Sequence, residues 1–447
     1  MFRRILIANR GEIAVRIIRA CREAGIASIA VHSDADQHSL HTSLADESIC
    51  IGPASAAESY LHIPSLIAAA EICDAQAIHP GYGFLSESPK FATICRECNI
   101  AFIGPSPEAI TVSGDKSLCR ERVKEAGVPT VPGSEGLVQD PEEAQRIAHE
   151  IGFPVLVKAS AGGGGKGMRI AHNDVTLANA VNMATVEAQA AFGDSGVYIE
   201  KFLENARHVE VQILADEHGH VISLGERECT IQRRHQKLIE ETPCAVLSSS
   251  LRSKLSKAAI RAARAINYTN AGTVEFLLGD EGQFYFIEFN ARIQVEHPVT
   301  EEVTRLDLVK EQLRIAAGEP LGYSQVRPSG HAIEARVYAE DPENNFMPCA
   351  GEIGRCHLPS GPGIRVDTHI FPGYVVPRYY DSLLAKVIAH GRDRNEAISR
   401  LSGALEEFTT EGMRNTARLC ARIVRSNSFR SGELTPSLID SFLTKTK

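Results

Sequence analysis

Apolar positions in the first 110 residues recur in two alternating rhythms, and each rhythm predicts an element. Ile5-Leu-Ile-Ala8 is a short unbroken apolar run, read as a strand. Residues 12–23 then place Ile13, Ile17 and Ile18 at helical spacing. Arg16, Arg19 and Arg22 are expected to face largely outward, and Gly25 ends the helix. Ile29-Ala-Val31 reads as a second strand and residues 66–72 as a helix. Ala77-Ile-His79 reads as a short strand running into Pro-Gly-Tyr-Gly. Such alternation predicts a parallel α/β sheet.

From about 114 to 310 the chain mixes both rhythms. Ser113 or Asp115 is placed to cap a helix through Ala126, strands are predicted at 154–158, 197–200 and 209–214, and an amphipathic helix over 305–317 closes on Gly318 and Pro320. Strand-like alternation returns over 331–338. Glycine and proline then crowd 350–377, and helices follow near 393–407 and 415–425. With no internal repeat or low-complexity linker, the domains are expected to pack together.

The strongest local pattern is a hairpin. Two apolar runs flank Gly279-Asp-Glu-Gly282, which predicts a four-residue loop that pairs Leu278 with Gln283. Glu275 would then lie opposite Phe286, and Glu275, Phe286, Glu288 and Asn290 would share one face. Diagonal neighbours across a strand pair are ~7–8 Å apart, room for a cation between two carboxylates. A one-residue slip would separate them. Alternation continues, with Glu288, Asn290, Arg292, Gln294 and Glu296 on one side and Phe289, Ala291, Ile293 and Val295 on the other. Hard Mg²⁺ takes carboxylate oxygens and substrate phosphates, and Asn adds a carbonyl oxygen. A fully extended strand would separate Glu288 from Glu296 by ~26 Å, too far for one small substrate. Either the chain curls after Asn290, or the strand carries two subsites.

Residues 154–158 run into Ala159-Ser-Ala-Gly-Gly-Gly-Gly-Lys-Gly-Met-Arg169. Glycines let backbone N–H groups approach phosphates, and Lys166 adds charge. The literal Gly-x-Gly-x-x-Gly at 162, 164 and 167 does not open a helix, so the dinucleotide-binding reading fails. Lys166 is followed by Gly rather than Ser or Thr, so the Walker A reading fails too. A strand–loop–strand flap remains. The run Gln232-Arg-Arg-His-Gln-Lys237 is basic in an acidic chain. It reads either as a solvated cluster or as a source of cations for an oxyanion.

Composition narrows the function. A chain of 447 residues predicts about three domains. Its net charge of -9 argues against bulk nucleic-acid binding. No run approaches the ~18–20 apolar residues of a membrane span, and the start lacks the ~7–15-residue apolar core of a signal peptide. Cytoplasm is the expected compartment. Eleven cysteines, an odd number without a framework, are expected to be reduced thiols. Cys95 and Cys98 form one Cys-x-x-Cys, read as core filler with a redox or zinc pair as the alternative.

Together these pieces resemble the biotin carboxylase family of the ATP-grasp superfamily, over essentially the whole chain. The resemblance rests on Ile7-Ala-Asn-Arg-Gly-Glu-Ile-Ala14, His79-Pro-Gly-Tyr-Gly-Phe-Leu-Ser-Glu87, Lys158-Ala-Ser-Ala-Gly-Gly-Gly-Gly165, Arg233-Arg-His-Gln-Lys237, the hairpin, Arg292-Ile-Gln-Val-Glu-His-Pro298 and Tyr379-Tyr-Asp-Ser382. It implies an α/β and α+β architecture. A Rossmann-like N-terminal α/β domain would span 1–113. An ATP-grasp domain would span 114–328, with a glycine-rich lid at about 131–203, and a C-terminal α+β domain would span 329–447.

It also implies roles. Lys116 and Lys158 match ATP phosphate lysines, and Gly164 and Gly165 the lid glycines. Glu200, Lys201, Phe202 and Leu203 match the adenine hinge, with His208 and His235 at nucleotide positions. Glu275, Glu288 and Asn290 match metal ligands for Mg²⁺ or Mn²⁺, two ions in all. Lys237, Arg292, Gln294 and Val295 match the bicarbonate cradle and Glu296 the base. Arg336 matches the arginine that holds biotin and stabilises its enolate. Ala161 and Ala291 depart from common family residues without removing a reacting group.

The implied reaction activates bicarbonate with ATP as carboxyphosphate and carboxylates biotin. With no Met-Lys-Met attachment sequence before Lys447, the biotin is expected on a separate biotin carboxyl carrier protein, with separate carboxyltransferase subunits. Arg19 and Glu23 match positions of a family homodimer interface. Acetyl-CoA carboxylase, in fatty acid synthesis, is the expected setting, with another acyl-CoA or pyruvate as alternative acceptors. Two rivals are a carbamoyl-phosphate-forming or carboxylate–amine ligase and a non-catalytic nucleotide-binding subunit.

Overall fold

Short apolar runs buried on both faces build the N-terminal sheet. In the computed structural model, which describes residues 1–138, 140–159, 168–193, 195–234, 236–279 and 281–443, five parallel strands lie in the order Glu47–Gly52, Ala27–Ser33, Arg4–Ile7, Ala77–His79, Ala101–Phe102. Ile5, Leu6 and Ile7 are wholly buried at its centre, as the continuous apolar run requires. Helix Gly11–Glu23 packs Ile13, Ile17 and Ile18 against it.

Arg19 and Arg22 face outward as predicted, but Arg16 does not. It is buried and bonds to Glu301 at 2.8 Å and Asp307 at 2.6 Å. The helix is covered on a second side by Leu308–Ala316, which the repeat inside one helix cannot reveal. Arg10 makes a comparable tie, reaching Asp36 at 2.6 and 2.8 Å and the Tyr374 hydroxyl at 3.2 Å. Cys95 is buried and Cys98 packs beside it in the same apolar cluster, which suits core filler.

The second sheet has eight antiparallel strands: Phe284–Asn290, Asn270–Leu278, Arg207–Ala215, Val221–Arg233, Gln236–Thr242, His331–Tyr338, Leu383–Gly391 and Ile364–Thr368. The sheet runs without a break from the middle of the chain into its C-terminal part, because Ile239 to Thr242 pair with Ala335 to Ala332. Helix Ser249–Ala265 covers one face with Ala258, Ala259, Ala262 and Ala263. A third sheet, Arg169–Ala171, Val155–Ala159 and Val197–Lys201, carries helices Pro141–Ile151 and Asp174–Phe192. Gly164, Gly165 and His235 lie outside the described residues. Among the described residues, no helix is long and apolar enough to cross a membrane.

Glu301 is the buried acid that joins these parts. It lies on helix His297–Thr304 and accepts from Arg16 at 2.8 Å, Arg365 at 2.7 Å and the Leu308 N–H at 2.7 Å. Burial would raise its carboxyl, but Arg16 and Arg365 hold it down at about 2. An acid lowered in the folded state stabilises the fold above its unfolded pKa and loses that contribution as pH falls towards the folded value. Between pH 5 and pH 2 the wild type is therefore expected to lose roughly 3 kcal/mol more stability than Glu301→Gln, measured by denaturant unfolding at each pH. Equal acid losses in the two proteins would contradict this role.

Candidate active site

The carboxylate hairpin forms, by a different register from the one predicted. Its loop is one residue longer, so Leu278 pairs with Phe284, and Gly279 N–H donates to the Gln283 carbonyl at 2.9 Å. That slip alone would put Glu275 and Glu288 on opposite faces. A second irregularity reverses it: the ladder skips Ile287, and Glu275 stands directly opposite Glu288. A bulge of this kind re-aims side chains where a strand pair meets a site. Phe286, predicted on the carboxylate face, instead pairs with Phe276 and packs in the core.

The strand ends at Asn290, and the chain curls. Predicted as a strand position, Glu296 sits just before helix His297–Thr304, with φ -80 and ψ 8. Glu87 fixes the start of the curl, accepting from Ala291 N–H at 3.0 Å and Arg292 Nε at 2.9 Å. Glu275 Oε1 draws it inward, accepting from Asn290 Nδ2 at 2.8 Å, Gln294 Nε2 at 2.9 Å and Lys237 Nζ at 3.1 Å. The separation of an extended strand therefore does not arise, and the two ends of the motif share one site.

Lys237 is the hub. Its amine also reaches Glu296 Oε1 at 2.6 Å and contacts Glu210. Burial alone would lower this amine, but Glu210, Glu275 and Glu296 hold it well above the usual lysine range. Glu296 is held reciprocally: burial would raise its carboxyl, yet Lys237, Arg336 and Arg227 keep it well below the ordinary carboxylate range. Arg336 Nη2 donates to Glu296 Oε2 at 2.9 Å and contacts Glu240. Beneath them Arg227, wholly buried, bonds Glu210 at 2.6 Å, Gln212 at 2.7 Å and Gln294 at 2.8 Å.

Lys237, Glu275, Asn290, Arg292, Glu296 and Arg336 line a cleft of about 1150 Å³. Lys116 lies 3.2 Å from Glu288, and Lys158 contacts Glu200. His208 stands 2.5 Å from Glu275, and its Nδ1 accepts from Gln232 Nε2 at 2.7 Å. Glu200, Lys201, Phe202 and Leu203 line the same cleft, although the Lys201 amine turns to the carbonyls of Gly152 and Phe153 at 3.0 and 2.9 Å. Glu275, Glu288 and Asn290 offer hard oxygen donors on one face, which fits Mg²⁺. Two other groupings, His208 with Glu210 and Glu275, and Glu210 with Cys229 and Glu296, bring ligand atoms within 4.8 Å. There Glu210 is already neutralised by Lys237 and Arg227.

The structure thus brings together every predicted site residue it describes, and adds Glu87, Glu210, Arg227 and Glu240. Glu210 and Gln212 occupy the polar positions of an alternating strand, a pattern that equally suits a solvated face, and their burial emerges only from the fold. Glu87 lies within the quoted His79–Glu87 motif. Arg227 had no local signal.

The sequence comparisons bear directly on this arrangement. Residues 1–110 match the family described as biotin carboxylase, N-terminal domain, residues 115–324 the carbamoyl-phosphate synthase L chain, ATP binding domain, and residues 334–441 the biotin carboxylase C-terminal domain. A protein of Nostoc sp. named biotin carboxylase is 56% identical over 440 residues, covering 98% of each chain. The crystal structure of a Campylobacter jejuni biotin carboxylase–β,γ-ATP complex superposes with a TM-score of 0.96 at 45% identity, covering 99% of each chain. The biotin carboxylase domain dimer of Hydrogenobacter thermophilus 2-oxoglutarate carboxylase, in complex with MgADP, ADP and bicarbonate, gives 0.94 at 46% identity, covering 99% of this chain and 98% of that one. With two of its three parts and its full length matched in this way, the chain belongs to the biotin carboxylase family.

Proposed function

We propose that this chain carboxylates biotin on a carrier protein, using ATP, Mg²⁺ and bicarbonate. One observation carries the reading: a buried carboxylate, Glu296, is held ionised between Lys237 and Arg336 at the inner end of a cleft whose other end is lined by Lys116 and Lys158. Bicarbonate is a weak nucleophile and ATP is highly anionic, so joining them requires concentrated positive charge. Arg292, Lys237, Gln294 and Val295 would cradle bicarbonate, and Glu296 would remove its proton as it attacks the γ-phosphate. Glu275, Glu288 and Asn290 would hold Mg²⁺ or Mn²⁺, two ions in all, which neutralise phosphate oxygens.

Carboxyphosphate, the product of that step, is labile, and the lid strands and helices over about 131–203 would keep water from it. Its breakdown gives CO₂ and phosphate. Phosphate takes the proton of the biotin ureido nitrogen, Arg336 stabilises the oxyanion, and CO₂ is captured. Lys116, Lys158, Gly164, Gly165, His208, His235 and the 200–203 hinge would bind ATP. The assigned limits of the three domains are 1–113, 114–328 and 329–447. A biotin carboxyl carrier protein, carboxyltransferase subunits and a second copy of this chain are the proposed partners, in the cytoplasm. Acetyl-CoA is the proposed final acceptor. A 2-oxo acid is the second reading, since the Hydrogenobacter protein is a 2-oxoglutarate carboxylase.

ADP release that requires bicarbonate and rises with free biotin is the expected result. Stimulation by ammonia or an amino acid in their place would overturn the proposal in favour of a carboxylate–amine ligase.

A further inference from the structure

Lys386 is wholly buried in the middle of the apolar strand Leu383–Gly391. A buried amine persists only where partners hold it. Its cross-strand neighbours are Arg336 on one side and Asp367 on the other. Nζ donates to the Val295 carbonyl at 3.0 Å, and lies 3.1 Å from Glu12 Oε1 and 3.8 Å from Asp367 Oδ2. Glu12, in the first turn of helix Gly11–Glu23, also accepts from the Tyr82 hydroxyl.

Asp367 does not depend on this lysine, because Arg365 donates to both its oxygens at 2.9 and 2.7 Å. By direct contact the Lys386 amine therefore acts on Glu12 and on the curl that follows Asn290, while its charge also opposes the burial that raises the Glu334 carboxyl. Through it the N-terminal helix, the C-terminal strand and residues 292–296 meet at one atom. Lys386 is wholly buried behind the cleft wall, and its route to the reaction runs through Val295 and Glu12.

We propose that Lys386 is a positioning residue for the anion cradle. Its amine pins the Val295 carbonyl and so sets where Gln294 and Glu296 stand relative to Lys237, with Glu12 holding the amine in place. This rests on the assignment of residues 292–296 to bicarbonate and names the group that fixes them.

Lys386→Met is the direct test. Lys386→Met combined with Glu12→Gln also removes the carboxylate that the lysine neutralises, and it carries the measurement if the single variant does not fold. The Michaelis constant for bicarbonate is expected to rise about tenfold or more, as a small misplacement of a binding group demands, while that for ATP stays within about twofold. A general structural role would move both constants together. A bicarbonate constant within about twofold of wild type in either folded variant, or equal shifts for ATP and bicarbonate, overturns the proposal. Wild-type ATP cleavage that ignores bicarbonate would instead overturn the functional reading beneath it.

Discussion

Glu296→Ala is expected to lower bicarbonate-dependent ATP cleavage by about 10²–10⁴-fold, the range a positioned general base supplies. The nucleotide end should be spared, since Lys116 and Lys158 are paired with Glu288 and Glu200 rather than with Glu296. The site should also stay folded. Lys237 keeps Glu210 and Glu275, and Arg336 keeps Glu240, so neither cation is left buried without a carboxylate. Steady-state ADP release at saturating bicarbonate and ATP affinity by calorimetry provide the two readouts. Full turnover in this variant would remove Glu296 from the role of base. Loss of ATP affinity would instead mean that the two ends of the cleft are not separable.

Arg336→Ala is expected to act on the other half of the reaction. Biotin carboxylation should fall by about 10²–10³-fold, the usual effect of deleting one group that stabilises a developing oxyanion. Bicarbonate-dependent ATP cleavage should fall far less, because Lys237 still contacts Glu296. Removing the arginine does not strand a second charge. Burial already pushes the Glu240 carboxyl up to about 7 against the pull of Arg336, so without the arginine it takes a proton. The ratio of carboxybiotin formed to ATP cleaved is the discriminating measurement. A ratio unchanged from wild type would show that Arg336 serves both steps alike.

The parts of the fold legible in the sequence are those where one element's own pattern decides its environment. The strand Ala77–His79 and helix Gly11–Glu23 are of this kind, set by apolar runs and by a 3.6-residue repeat. Arg16 departs from its helix's pattern because its partners, Glu301 and Asp307, are almost 300 residues away. The hairpin shows the opposite case. The loop length and a bulge at Ile287 each shift the register by one residue in the same direction, and the total of two returns Glu275 and Glu288 to a shared face while Phe286, ahead of the bulge, stays on the other. The position of Glu296 could be bounded but not placed. The rise of a strand required either a curl or two subsites, and only Glu87 and Glu275, reaching in from other segments, decide for the curl. The roles of individual residues came from several motifs in a fixed order, a signal that no single window carries.

The eight-stranded sheet joins the part of the chain that supplies Glu275 and Lys237 to the part that supplies Arg336 through main-chain hydrogen bonds between Gln236–Thr242 and His331–Tyr338. Severing the chain between these strands would expose two long unpaired edges, templates for intermolecular pairing. A fragment of this chain that ends between these strands is therefore expected to self-associate through its bare edge when expressed alone.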